Sequence, residues 1–479
     1  MERNGSSGAP VIVLFRDDLR VSDNGALAAA DDTGRPVVPL FILDEEGKDA
    51  RPAGAASRWW LHHSLAALEQ SLDKLGARLF LRQGPTEKIV VEALKATGAE
   101  AVFWNRRYSP AGIETDKALK VGLREQGIEA KSHDGFLLHE PSLVATQSGD
   151  FYKVFTPFYK RLSQDEVRDP IDPPKSLKGW KGRFHSDTLA DFAFLPRHPD
   201  WSSGMAERWE PGEQGARSRL EAFLDDGLKG YADNRDIPGI EGTSGMSPYL
   251  AQGDISPFQI MAAFRRRHGR DAETFRKELC WREFSYHLLF NRPRLHKENF
   301  RPAFDAFEWR SAPAALKAWQ RGRTGYPIVD AGMRELWQTG WMHNRVRMIA
   351  ASFLIKDLLI DWRAGEEWFW DTLVDADAAN NPASWQWVAG SGADAAPYFR
   401  IFNPVLQGEK FDPKGEYIRR YVPELARLPD RYIHRPWEAP SSVLDDCGLS
   451  LGKDYPAPMV DHAKARDLAM EIYRGTRED

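Results

Sequence analysis

Between residues 11 and 134 short strand-like apolar runs alternate with helix-like stretches, and after about residue 214 helix signals dominate and strand signals vanish. That alternation constrains the fold more than any other feature. VIVLF at 11–15, VVPLFIL at 37–43, RLFLR at 78–82, AVFWN at 101–105 and a weaker IEAKSH at 128–133 read as strands. The clearest intervening helix is predicted over 57–75, where Leu61, Leu65, Leu68, Leu72 and Leu75 step by four and three along one face. Ser57 is its expected N-cap and Gly76 its stop; Ser109-Pro110 opens the last helix and Gly127 ends it. The pattern predicts an α/β domain over 11–134, a doubly wound five-stranded parallel sheet with helices on both faces. A dinucleotide fingerprint would place glycines after the first strand. Phe15-Arg16-Asp17-Asp18-Leu19-Arg20 has none, so this is no pyrophosphate cradle. The carboxyl ends of the strands stay available to another ligand.

From 135 to 210 periodicity is lost among Asp169-Pro170, Asp172-Pro173-Pro174 and Arg197-His198-Pro199, which predicts a long connector packed over other domains. Residues 211–479 read as all-α. Helices are predicted over 256–269, 271–290, 327–339, 341–361 and 365–374. The 479 residues suffice for two or three domains. A net charge of -5 excludes a global basic field but not a local one. Cys280 and Cys447, far apart, give neither a disulfide framework nor a zinc site, and no metal is expected. The tail MERNGSSGAP lacks an apolar signal core, and Met348 to Ile355 is too short to span a bilayer. A cytoplasmic protein without membrane contact is therefore expected.

The chemistry concentrates between Trp341 and Arg400. A helix puts Asn344 beside Met348, and His343 beside Arg347. Asp375, Asp377 and Asn381 follow in an acidic, amide-rich turn, with Trp385 and Trp387 just after. Aromatics that exclude water, amides and carboxylates for a ring edge, and an arginine for charge balance would suit a flat redox cofactor. An ordinary Trp-rich core with an Arg347–Asp375 pair accounts for the same residues. Glu241-Gly242-Thr243-Ser244-Gly245-Met246-Ser247-Pro248 offers N–H and O–H groups to a phosphate, or is simply a capped turn. Glu278, Trp281 and Arg282 share a helix face and suit stacked bases and phosphates, although Glu278 with Arg282 also makes an ordinary surface pair. Arg235, Arg282, Arg345, Arg347 and Arg400 could jointly form a positive patch. Two lookalikes fail. Gly390-Ser391-Gly392-Ala393-Asp394-Ala395 has no strand before it, and Asp375-x-Asp377 lacks the turn glycine of a calcium loop.

Gly340-Trp341-Met342-His343-Asn344-Arg345, Asp375-x-Asp377-x-x-x-Asn381, Trp385-Gln386-Trp387 and Tyr398-Phe399-Arg400-Ile401-Phe402-Asn403-Pro404 resemble the photolyase/cryptochrome family. Glu241-Gly242-Thr243-Ser244 and Trp281-Arg282-Glu283-Phe284 match it too, and the similarity runs from residue 11 to about 470. The resemblance implies an antenna domain, a connector and a helical domain holding FAD. Tyr231, Thr243, Ser244 and Ser247 would hold the FAD phosphates, with Gly245 and Met246 also at the cofactor. Arg347, paired with Asp375, would lie along the flavin, with Asp377 and Asn381 at the ring edge and Glu278, Arg282 and Asn344 close to the cofactor. A neutral Asn381 there favours an anionic reduced ring.

The implied reaction is light-driven cleavage of cyclobutane pyrimidine dimers in UV-damaged DNA, with the damaged pair flipped out against the flavin. Trp281 and Trp387 would wall the dimer, Glu278 and Asn344 would bond its bases, and Met348 would line the pocket. Arg235, Arg282, Arg345 and Arg400 would meet phosphates or brace the rim. Trp385, Trp362 and Trp309 match the family's electron wire, with Trp362 closing the helix that carries Asn344. Six-four photolyases have histidines where this chain has Asn344 and Met348. Plant cryptochromes have Asp at the Asn381 position and lose the Glu278/Trp281 pair. Both comparisons favour dimer repair over a cryptochrome-type receptor and make the chain most like class III bacterial enzymes. Trp104-Asn105-Arg106-Arg107-Tyr108 fits that class. The antenna implied is methenyltetrahydrofolate, or alternatively a deazaflavin, near Asp44, Trp104 and Asn105. A monomer with no obligate protein partner, nucleoid-associated when on DNA, is expected.

Overall fold

The computed structural model describes residues 8–46, 50–394 and 399–476. Ala395, Tyr398 and residues 1–7 of the N-terminal tail, all used above, lie outside the described residues. The strands are β1 (Val11–Phe15), β2 (Val37–Leu43), β3 (Phe80–Gln83), β4 (Ala101–Asn105) and β5 (Glu129–His133). All pair in parallel, in the order β3-β2-β1-β4-β5. Side chains alternate between faces along a strand. Val11, Val13 and Phe15 therefore join one cluster with Leu65, Leu68 and Leu72, while Ile12 and Leu14 join another with Val90 and Leu119. β3 is offset from the expected 78–82 because its register runs from Leu40↔Phe80 to Leu43↔Gln83.

The helix expected over 57–75 spans Ala55–Lys74, and Ser57 lies inside it instead of capping it. Its hydroxyl donates to the Leu373 carbonyl at 3.0 Å, in the helical half of the molecule. This helix packs on two partners. Leu65, Leu68 and Leu72 meet the sheet, whereas Trp59 and Trp60 join Trp209, Tyr249 and Trp341. Leu61 and Leu75 pack only partly buried at the margin of the sheet cluster, Leu75 because the helix has ended before it.

The connector carries one eight-residue helix, Phe155–Leu162, and a shorter one, Ser203–Arg208. It returns along the sheet domain, with Leu177 N–H donating to Leu75 and Asp187 N–H to Leu81. Beyond it no strand is described. The helices Arg270–Asn291 and Pro327–Thr339 lie where expected. The helix expected over 256–269 stops at Phe264, with Ser256 and Gln259 forming a capping box, and Gly269 instead caps the next helix.

The stretch expected as one helix over 341–361 is broken. Regular helix covers Asn344–Ser352, a wider turn covers Phe353–Asp357, and Leu359 adopts φ +54°. Trp362 therefore opens the next helix, Trp362–Thr372, rather than closing the one that carries Asn344. The reason is local: the Asp361 carboxylate accepts the Arg363 N–H and caps a new start. Among the described residues no helix is long and apolar enough to cross a membrane.

Candidate active site

His343 caps the helix Asn344–Ser352, its Nδ1 accepting the Arg345 N–H at 3.2 Å. Buried Glu335 holds the preceding turn by accepting the His343 N–H at 3.0 Å and the Tyr417 hydroxyl at 2.7 Å. Arg347, one turn on, donates to Asp375 at 2.9 Å and, through Nε, to the Met342 carbonyl at 2.7 Å. Asp375 also accepts the Ser247 hydroxyl at 2.6 Å, which ties the 241–248 turn to this centre. Arg219 grips that turn from behind, donating to the Ser244 and Thr243 carbonyls at 2.7 and 3.3 Å. Gly245, at φ +64°, leaves room for it, since a Cβ there would lie 2.7 Å from Arg219 Nε. Met246 is buried behind the turn, and Tyr231 is buried against Phe223 and Phe275.

Asp377 accepts the Ala379 and Asn380 N–H groups at 2.9 and 2.5 Å ahead of the helix Asn380–Ala389. Burial pushes its carboxyl up and Arg282 pulls it back. Asn381 is buried, and its amide nitrogen donates to the Glu366 carbonyl and carboxylate at 3.0 and 2.8 Å. Trp385, 2% exposed, packs against Gly365 so tightly that a Cβ there would sit 2.2 Å from its ring. Trp362 is fully buried, with its indole N–H on Asn299 at 3.0 Å, and half-buried Trp309 packs against the same cluster. The expected wire residues thus share one core.

Glu278 pairs with Arg235, and Arg345 pairs with Asp236 at 2.7 Å. Consecutive residues on one short segment therefore tether the Glu278 face and the Asn344–Met348 turn. Asn344 is exposed and Met348 half-buried, with Arg345 3.8 Å from its sulfur. Trp281 stacks face to face on Phe155 of the connector, with centroids 3.7 Å apart and planes at 6°. Trp387 donates its indole N–H to the Asp394 carbonyl at 3.1 Å. Beside this rim a cavity of about 740 Å³ is lined by Asp236, Arg345, Arg400, Asn403, Lys410 and Phe411.

Arg282 corrects an expectation. It is 7% exposed, donates to the Phe136 carbonyl at 2.9 Å and lies 4.4 Å over the Phe136 ring, so it faces the interior and not a surface phosphate. The antenna candidates sit at the carboxyl ends of β2 and β4, where the sequence puts them. Trp104 is buried in the sheet core, and Asp44 accepts the Thr86 N–H and hydroxyl at 2.9 and 2.7 Å. The Asn105 amide bonds Asp18, Asn24 and the Ala26 N–H at 2.6, 2.9 and 3.1 Å. All three therefore also hold the fold in place at these strand ends.

Residues 11–175 match the family described as DNA photolyase, and 275–475 the FAD binding domain of DNA photolyase. A deoxyribodipyrimidine photo-lyase of Agrobacterium fabrum is 56% identical over 475 residues, covering 98% of each chain. The chain belongs to the photolyase/cryptochrome family. A bacterial class III photolyase from Agrobacterium tumefaciens superposes with a TM-score of 0.96 at 55% identity, covering 99% of both chains. Arabidopsis thaliana cryptochrome-2 is 38% identical over 98% of this chain and 79% of its own.

The centre fits the FAD that a photolyase-type helical domain binds. Arg282 Nε and Nη2 and His343 Nε2 are buried without a protein partner. Leaving such a group unpaired costs about 1–3 kcal/mol, which a polar ligand edge would offset. Arg51, Glu366, Arg219 and Phe155 escaped the sequence reading. Their roles come from contacts between distant segments, which leave no periodicity or motif to find.

Proposed function

We propose that this chain is a light-dependent deoxyribodipyrimidine photo-lyase that repairs cyclobutane pyrimidine dimers in UV-damaged DNA. The observation that supports the reading is the tether at 235–236, which links Glu278 to the Asn344–Met348 turn, the turn that also carries Arg347 of the Arg347–Asp375 pair. Bound and reduced, FAD would supply the light-driven electron that opens the cyclobutane ring and is then returned. Arg347, held by Asp375, would balance the charge of an anionic flavin. Ser247, Ser244 and Thr243 would face its phosphates, with Tyr231 behind them. Asp377 and Asn381 would meet the ring edge.

Trp281, fixed on one face by Phe155, would offer a rigid apolar wall opposite Trp387. Glu278, paired with Arg235, would hydrogen-bond the bases. Asn344 carries both donor and acceptor, whereas Met348 and Asn344 together provide no acid–base pair for six-four products. Arg345 and Arg400 would meet phosphates at the rim; Arg282 belongs to the cofactor side. The antenna proposal is methenyltetrahydrofolate, with deazaflavin the alternative, near Asp44, Trp104 and Asn105. The same reading makes the enzyme a cytoplasmic monomer built as 11–134, 135–210 and 211–479.

The test is repair by purified, FAD-loaded protein under blue light and in the dark. Cyclobutane dimers should disappear only in the light, and six-four products should persist. Six-four repair, or no repair of either lesion, would sink the reading.

A further inference from the structure

The segment 51–57 of the sheet domain is built into the helix Trp362–Thr372. Both terminal nitrogens of Arg51 reach Glu366, each at 2.7 Å, in a two-pronged pair. The same guanidinium lies 4.0 Å over the Trp370 ring. Trp370 donates its indole N–H to the Pro52 carbonyl at 2.8 Å, and Ala55 N–H donates to Asp371 at 3.0 Å. Gly54 approaches so closely that a Cβ would come within 2.0 Å of the Trp370 carbonyl oxygen. The inner end of this dock is Glu366, whose carbonyl and carboxylate take up the Asn381 amide N–H groups at 3.0 and 2.8 Å. The amide's carbonyl oxygen is the atom left for another partner.

We infer that Arg51 is a positioning residue for the flavin: it keeps Glu366 a carboxylate, which locks Asn381 with its carbonyl oxygen toward the ring edge, so the sheet domain biases bound FAD toward reduction. The inference rests on the reading above that Asn381 meets that edge. The chemistry is general. A reduced flavin carries an N–H at N5 and is stabilised by an acceptor there, whereas the oxidised ring has a bare nitrogen and prefers a donor. Burial pushes the Glu366 carboxyl up, Arg51 opposes that push, and Glu367 beside it adds to it. Without Arg51 nothing opposes protonation of the buried acid, whose O–H then competes for the amide oxygen against the hold of the Glu366 backbone carbonyl on the amide nitrogen. In the fraction where the amide turns, the ring edge meets an NH2 group.

The test is a dye-coupled reductive titration of FAD bound to the full chain. Exchanging one acceptor contact for a donor is worth about 1 kcal/mol or slightly more. Arg51→Gln should therefore shift the reduced-to-oxidised ratio about tenfold toward oxidised, a midpoint about 30 mV lower for two electrons. Asp371→Asn loosens the same dock with the ion pair intact, and its midpoint should match the parent. If Arg51→Gln fails to retain FAD, Glu366→Gln carries the same expectation, since its amide can donate to Asn381. A parent-like midpoint in Arg51→Gln, alongside a shifted one in Asn381→Ala, overturns the inference and leaves Asn381 at the ring. Parent-like midpoints in both overturn the Asn381 placement and the inference together. An Asp371→Asn shift as large as that of Arg51→Gln overturns it too, because the dock as a whole would then set the potential.

Discussion

Trp385 and Trp281 belong to the same helical domain but are held in opposite ways. Trp385 is walled in by Gly365, Phe369 and Trp319, and Trp362 in the same cluster is fully buried. Trp281 is half-buried, and the groups around it are held by ion pairs, Arg235 with Glu278 and Arg345 with Asp236, at 19–34% side-chain exposure. Solvent reaches such partly exposed pairs, so their partners exchange more readily than side chains sealed in a core. A residue that passes charge gains from surroundings that neither move nor hydrate. A pocket that takes a flipped base must give up water and partners to do so. The first region suits electron passage through packed matter, and the second suits exchange of partners.

The sharpest way to break this comparison is Trp385→Phe, which nearly keeps the volume but removes the readily oxidised indole. Photoreduction of oxidised FAD should be all but abolished, while repair by chemically reduced enzyme stays near the parent level. Photoreduction at the parent rate would show that Trp385 is not the obligatory carrier.

At the rim, Glu278→Ala should lower repair per absorbed photon about tenfold with FAD fully retained, since losing a hydrogen bond to a charged group costs about 1.5 kcal/mol or more. Loss of flavin on purification would instead assign Glu278 to the cofactor. A smaller effect is expected of Arg345→Ala. It should weaken binding to damaged DNA and reduce the slope of log affinity against log salt by about one, if Arg345 neutralises one phosphate. An unchanged slope would remove Arg345 from the DNA surface.

The two regions were unequally legible in the sequence. The sheet domain announces itself because strands buried on both faces must be apolar throughout, as VIVLF and AVFWN are. The Arg347–Asp375 pair was visible because both residues sit in dense motifs. Arg282 was misjudged because helical spacing shows which residues share a face, not whether that face is covered, and Phe136 of the connector covers it. The break after Asp357 was missed because buried apolar residues continue through Leu358–Ile360 and disguise the end of the helix. Arg51 and Glu366 lie 315 positions apart, so their pairing could come only from the folded chain.

His343 stands where the two regions meet, and it yields the smallest effect at neutral pH and the clearest one in acid. It is 3% exposed, and burial pushes its imidazole down to about 4, aided by Arg345, Arg347 and Arg235 and opposed by Asp236. In the fold it is therefore neutral, with Nδ1 accepting the Arg345 N–H that starts the helix of Asn344 and Arg347. The unfolded chain takes up its proton near pH 6.5, but the folded chain does so only near 4. Between those values the unfolded state binds more protons, so stability from this group is complete above about pH 6.5 and is lost as pH falls toward 4. The full loss is on the order of 3 kcal/mol. His343→Asn keeps an acceptor at a position where asparagine caps well, and it cannot titrate. At pH 7.5 the variant should match the parent in thermal midpoint and FAD retention. Between pH 6.5 and 4 the parent should lose more stability than the variant and release FAD at the higher pH. Other groups titrate in both proteins, so the difference between the two curves isolates His343. Parallel curves would mean that the imidazole charges without disturbing the helix start, and the rim would then owe its geometry to Glu335 and the ion pairs at 235–236 alone.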